Sequence, residues 1–134
     1  SSKIGEFVFN IWSESGFRAL KTALKNLEYF GAGKILFSFI SYKEIVEEDL
    51  KSEDFEGIVD ILRSNRNARI IILLREIEKN VFKGSLRSKG EISINQVARK
   101  FNGGGHPHAA GFEIKYDNVN AIKDKLIKEL LQLI

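Results

Sequence analysis

The chain has 134 residues, 43% of them hydrophobic, and no cysteine: enough for one domain with a core, too few for two of ordinary size, and without the thiols for a disulfide framework or a thiolate metal site. Lysine and arginine number 21 against 18 acids, a net charge of +3 that suits an anionic ligand without requiring one. No apolar run approaches bilayer length and no signal-peptide layout opens the chain, so a soluble, cytoplasmic protein is expected; the absence of methionine marks "SSK" as an expected cloning remnant and the chain as part of a longer protein.

In chain order, "EFVFNIWSES" is aromatic and apolar without a clean period, and residues 1–30 are expected to be a helical segment ending an interdomain connector, with some exposed apolar surface. Phe17, Leu20, Leu24 and Leu27 fall on one helical stripe, which Gly31 and Gly33 end. "KILFSFIS" then reads as a buried strand, followed by a short helix at Lys43 to Glu48. "SEDFEGIVDILRS" carries Ser52 as an expected N-cap, acids in its first turn, and Phe55, Ile58, Val59 and Leu62 on one side, the pattern of a second full helix.

The nearly continuous apolar run "RIIILLRE" suits a central strand covered on both faces. Across the polar tip "IEKN", "VFKGSLRS" alternates, so that period two puts Lys83, Ser85 and Arg87 together on one face, away from Phe82 and Leu86. "ISINQVARKF" predicts a helix with Ser93 as N-cap, Gln96 as its capping-box partner and Ile92 stapled onto Val97; its core stripe is Ile94, Val97, Ala98 and Phe101, and Gly103 is the expected left-handed residue at its end. "AAGFEIK" is a further strand, and the closing helix has Val119, Ile122, Leu126, Leu130 and Ile134 on one stripe. The alternation predicts an α/β domain over residues 31–134, a mixed β-sheet of about five strands flanked by α-helices.

Between the helix "ISINQVARKF" and the last strand the chain spends three glycines, two histidines and two alanines in "FNGGGHPHAAGF", residues 101–112. Glycines serve where the backbone takes positive φ or where another group must approach the peptide closely, and consecutive ones aim N–H groups into a nest that binds phosphate oxygens. His106 at its lip is placed to donate to the same anion. Two plainer readings stand beside this: a helix cap and flexible turn with surface histidines, or a metal site in which carboxylates complete His106 and His108.

"SLRSKGEISINQVARKFNGGGHPHAAGF", residues 85–112, resembles the DHHA1 domain of the DHH phosphoesterase superfamily, whose hallmark is GGGH followed closely by AAG. Gly103, Gly104, Gly105 and His106 match the first half, and Ala109, Ala110 and Gly111 the second; "SLRSKG" is similar to the segment upstream in the branch of oligoribonucleases and pAp-phosphatases. The resemblance extends over roughly residues 34–134. It implies an N-terminal DHH domain elsewhere in the full protein, holding manganese that activates water, while the DHHA1 domain closes on the substrate. This chain has no "DHH" triplet, so the resemblance implies no catalytic residue and no metal in it, and no activity alone.

By position, the resemblance makes His106 a contact to substrate phosphate, with Gly103, Gly104 and Gly105 giving backbone approach, and Arg87 a ligand for phosphate or base. Guanidinium on a polar strand face suits bidentate phosphate contact. Ser85, Ser88 and Lys89 are supporting candidates, although Lys83 and Lys89 also read as solvated cations; His108 falls at a variable motif position. The implied function is hydrolysis, by the full protein, of short oligoribonucleotides, dinucleotides or nucleotide phosphoesters such as pAp, with exopolyphosphatase-like substrates left open. The alternatives are a non-hydrolytic nucleic-acid-binding module related to the C-terminal domain of alanyl-tRNA synthetases, and a homodimer formed through "EFVFNIW".

Overall fold

The computed structural model describes residues 12–134. The expectations for "EFVFNIW", self-association included, fall almost wholly on residues 1–11, outside the described residues. Helix α1 (Glu14–Lys25) leads to β1 (Leu27–Phe30) and β2 (Ile35–Ile40). Helix α2 (Tyr42–Glu47), a 3-10 turn (Ser52–Asp54) and α3 (Phe55–Arg63) then cross to β3 (Ile70–Glu78) and β4 (Val81–Ser88). Helix α4 (Asn95–Lys100), β5 (Gly104–His106), β6 (Ala109–Lys115) and α5 (Val119–Leu131) complete the order. The strands form one mixed sheet of six, β1-β2-β3-β4-β6-β5, in which β2 and β3 are parallel and every other pair antiparallel.

The α/β class is as expected, but there are two strands that periodicity did not show. Residues 27–30, read as the end of the first helix, pair with β2 as an edge strand. Residues 104–106, read as a loop, pair with β6 as the opposite edge. Both are short and half-exposed, so neither has the apolar alternation that marks a strand.

Each face of the sheet has its own core. On one face Ile35, Phe37, Ile70, Ile72, Leu74, Phe82, Leu86 and Phe112 pack against α4 and α5. On the other, Leu36, Ile40, Ile71 and Leu73 pack against α1 and α3. Phe55, Ile58, Val59 and Leu62 of α3 are all buried, as the spacing predicted, each contributing about 1.5–3 kcal/mol relative to exposure. Helix α1 buries its small side instead: Ala19 and Ala23 are fully buried while Phe17 is 57% and Leu24 45% exposed. Close approach explains this, because the buried Ser38 hydroxyl of β2 donates to the Ala23 carbonyl at 2.7 Å, leaving no room for a large side chain on that side.

Three expected caps are replaced by other partners. Ser52 lies inside the 3-10 turn, where the Lys51 N–H donates to Asp54 at 3.0 Å. Helix α4 begins at Asn95 without a side-chain cap; the Ile94 N–H donates to the Pro107 carbonyl at 2.8 Å, which moves the start beyond the expected Ser93 box. At its other end the left-handed residue is Asn102 (φ 65), not Gly103, and the Gly103 N–H bonds the Ala98 carbonyl at 2.9 Å in a Schellman closure.

Helix α2 has a full capping box, in which the Ser41 hydroxyl accepts from the Glu44 N–H and the Glu44 carboxylate accepts from the Ser41 N–H. Burial pushes the Glu44 pKa up, but hydrogen bonds from Asn26 and Ser41 and the charge of Lys25 outweigh it and hold the group below its ordinary value. A depressed folded-state pKa gives stabilisation that is present above about pH 4.3 and lost as pH falls through the folded value. Glu44→Gln is therefore expected to cost about 0.5 kcal/mol at pH 7, discounted for its solvent exposure. In urea titrations the gap from wild type should narrow as pH falls toward 3; a gap of equal size at both pH values would contradict this.

Candidate functional site

Helices α1 and α3 cover β2 and β3 on one sheet face and α3 also borders β4, while no residue of β6 or β5 joins the core they form. Strand β4 alternates as predicted: Phe82, Gly84, Leu86 and Ser88 are buried, while Lys83, Ser85 and Arg87 face the uncovered side. Cross-strand register then builds rows across that face. Arg87 lies opposite Ala109, which lies opposite His106; Ser85 lies opposite Gly111, which lies opposite Gly104. Residues opposite one another project to the same side, so Arg87 and His106 flank a floor of alanine and glycine. A groove of about 350 Å³ runs over this floor, lined by Lys83, Ser85, Arg87, Gly104, Gly111 and Glu113 among others; His106 stands on the edge strand beside it and is not among the lining residues.

The glycine motif is therefore a strand and not a free nest. Gly104–His106 pairs with Ala109–Gly111 in a hairpin whose tip is Pro107 and His108. The tip is pinned: the Ser88 N–H donates to the His108 carbonyl at 3.1 Å, and Ile94 N–H holds the Pro107 carbonyl. His106 is exposed on this braced edge.

The three glycines have different reasons to be there. A Cβ on Gly103 would fall on the Gly111 carbonyl oxygen and within 2.6 Å of Phe112 Cβ. Gly105 has φ +138, and its Cβ would stand 2.8 Å from the Ala109 carbonyl oxygen. A Cβ on Gly104 would meet nothing within 4 Å. The fold explains the first two; at the third the groove floor is simply left without a side chain.

Arg87 is half-buried, and its Nη1 donates to the Leu86 carbonyl at 2.9 Å. Among the described residues it forms no ion pair, so most of its donors are available. A larger cavity of about 520 Å³ lies on the other side of Arg87, walled by Trp12, Glu53, Glu56 and Asp60. It sets four carboxylates, those of Glu53, Asp54, Glu56 and Asp60, against Arg87 as its one cation, a balance that disfavours phosphate; the glycine-floored groove, with Arg87 and Lys83 against Glu113, is the better anion site. Trp12 fits there because α1 and α3 both carry glycine beneath it: a Cβ on Gly16 or Gly57 would approach the indole to 3.0 or 3.1 Å.

Not every candidate reaches the groove. Ser88 is fully buried on the opposite face, and its hydroxyl donates to the Ile92 carbonyl at 2.6 Å, so its role is to brace the hairpin and not to touch a ligand. Lys89 turns toward the end of α3, where its Nζ donates to the Asn65 carbonyl at 2.6 Å; burial and the charges of Arg63 and Arg69 lower its pKa. His108 occupies the hairpin tip. Among the described residues no group of three His, Cys, Asp or Glu side chains is placed to hold a metal ion, so the residues present do not fit manganese. Arg75, read only as part of a central apolar run, was missed; it stands opposite Lys83 beside the groove. The signal was present in the sequence as one cation inside "IIILLRE".

A six-stranded mixed sheet with a glycine-floored edge and a braced histidine hairpin defines an α/β domain. The DHHA1 domain model matches residues 32–132, and the chain belongs to that family, as the motifs at 85–112 implied. Over 101 residues it is 33% identical to the bifunctional oligoribonuclease and PAP phosphatase NrnA of Thermus thermophilus, a match that spans 75% of this chain and 29% of that protein. It is 30% identical to an exopolyphosphatase-related protein from Bacteroides fragilis, with a TM-score of 0.81 over 98% of this chain and 39% of that one. The C-Ala domain of Aquifex aeolicus alanyl-tRNA synthetase shares the fold alone, at 16% identity and a TM-score of 0.57 over 78% of this chain and 96% of that one. The chain spans well under half the length of the first two proteins. No helix among its described residues is long and apolar enough to cross a membrane.

Proposed function

We propose that this domain binds the phosphate of a short oligoribonucleotide or of a nucleotide such as pAp, for hydrolysis by a complete DHH-family phosphoesterase. The observation that carries the reading is the row Arg87–Ala109–His106 beside the bare floor at Gly104 and Gly111. Arg87 supplies charge and directional donors, and the His106 imidazole a further polar contact from the braced edge, with Ser85 one row along the floor from Arg87. Small floor residues let phosphate approach the backbone closely. Because the described residues offer no manganese site, water activation is assigned to a companion DHH domain, and the role of this chain is to hold and orient. The relationship to NrnA at 33% identity favours this reading over a purely nucleic-acid-binding module, for which the likeness is of fold only.

Trp12 is the only tryptophan and lines the cavity that Arg87 shares, which makes its fluorescence a local probe. Titration with pAp is expected to give a saturable change. Gly104→Ala should leave stability within about 0.5 kcal/mol of wild type, since nothing meets the new methyl, yet weaken pAp several-fold by filling the floor. Unchanged affinity in that variant, or no pAp binding detected by both fluorescence and calorimetry, would contradict the reading.

A further inference from the structure

Next to the groove the sheet face carries a second pair of cations that forms no ion pair with a described residue. Arg75 of β3 lies directly opposite Lys83 of β4, and like charges in that position repel. Arg75 is only 6% exposed; its guanidinium stacks at 4.4 Å on the Phe55 ring, and its buried Nε has no hydrogen-bond partner. Burial lowers its pKa, opposed by the charge of Glu113. The charges facing the pair are Arg87, Glu53 and Glu56, which line the same cavity of about 250 Å³, and Glu113, opposite Lys83. Among the described residues none of these carboxylates forms an ion pair with Arg75, Lys83 or Arg87. A buried guanidinium with an orphaned donor, held against a second cation, is costly to the fold unless an anion joins them.

We propose that Arg75 and Lys83 form a second anion subsite, which takes a further phosphate of the ligand whose first phosphate is held at Arg87. Lys83 and Arg87 are four residues apart on one strand, their Cα atoms about 13 Å apart at strand rise, room for the two cations to hold different phosphoryl groups of one ligand. The subsite therefore selects ligands with several phosphates along a chain, the chemistry of an oligonucleotide or of inorganic polyphosphate. Lys83 and Ser85 form its exposed side and Arg75 its buried wall. This inference rests on the assignment of Arg87 and His106 above.

The test compares AMP, pApApA and inorganic tripolyphosphate as ligands of the 134-residue chain, by calorimetry, in wild type, Lys83→Ala and Arg75→Met. pApApA is expected to bind wild type about tenfold more tightly than AMP, and each substitution to remove most of that gain while weakening AMP far less. Loss of Lys83 should also flatten the salt dependence of pApApA binding by about 0.7 in log–log slope. A gain confined to pApApA assigns the second phosphate to nucleic acid; an equal gain with tripolyphosphate assigns it to a phosphate chain in general. If AMP binds but pApApA gains nothing, or its gain survives Lys83→Ala, the second subsite is overturned and the first stands. If AMP fails to bind wild type at all, both fall. Should Arg75→Met not fold, the exposed Lys83→Ala decides alone.

Discussion

Gly103→Ala should destabilise the domain by about 3 kcal/mol or more, a large part of the roughly 5–15 kcal/mol available to a domain. The added Cβ meets backbone: the Gly111 carbonyl oxygen, and Phe112 Cα at 2.7 Å. No side-chain rotation relieves such a contact. Relief requires moving β6 away from the end of α4, and β6 carries Ala110 and Phe112 into the core. The Phe112 ring also stacks on Phe101 with centroids 5.1 Å apart, so displacement loosens aromatic packing as well. For a domain of this size the loss corresponds to a fall in Tm of about 10 °C. A melting curve within about 2 °C of wild type would contradict the hairpin register, whereas Gly104→Ala, one residue on, should melt like wild type.

Arg87→Ala should show the opposite profile, with stability nearly intact and phosphate binding reduced about 10- to 100-fold, the cost of losing charge-assisted donors to an oxyanion. The side chain is half-buried and makes no ion pair with a described residue, so its removal strands no buried carboxylate. Arg87→Lys should recover charge but only part of the affinity, because a lysine ammonium cannot present the planar fork. In a complete phosphoesterase the expected signature is a raised KM. Equal affinity for pAp in wild type and Arg87→Ala would return Arg87 to an ordinary surface residue.

Much of the site was legible because strand alternation is a strict code. Phe82 and Leu86 fixed the inward face of β4, and that alone placed Lys83, Ser85 and Arg87 outward. The same code, carried one residue further, sends Ser88 inward, where its hydroxyl serves the Ile92 carbonyl; motif membership had obscured this. The β5 hairpin was hidden because three glycines carry no pattern of their own, and strand pairing with β6 supplies what side chains do not. The bare half-face itself could not be read from the sequence. It follows from strand order, which leaves β6 and β5 outside the core of α1 and α3, with β4 at its border. Trp12 shows a related limit: Gly16 and Gly57 are poor helix formers until the indole that lies over both is known.

The central claim is that Arg87, the glycine floor and His106 form one phosphate site, and backbone amide NMR with pAp tests it most directly. Resonances of Ser85–Arg87, Gly104–His106 and Ala109–Gly111 are expected to shift together along one binding curve, with those of α5 and β1 unmoved. A dispersed, folded spectrum in which these segments stay still at millimolar pAp, or shift along unrelated curves, would contradict the claim.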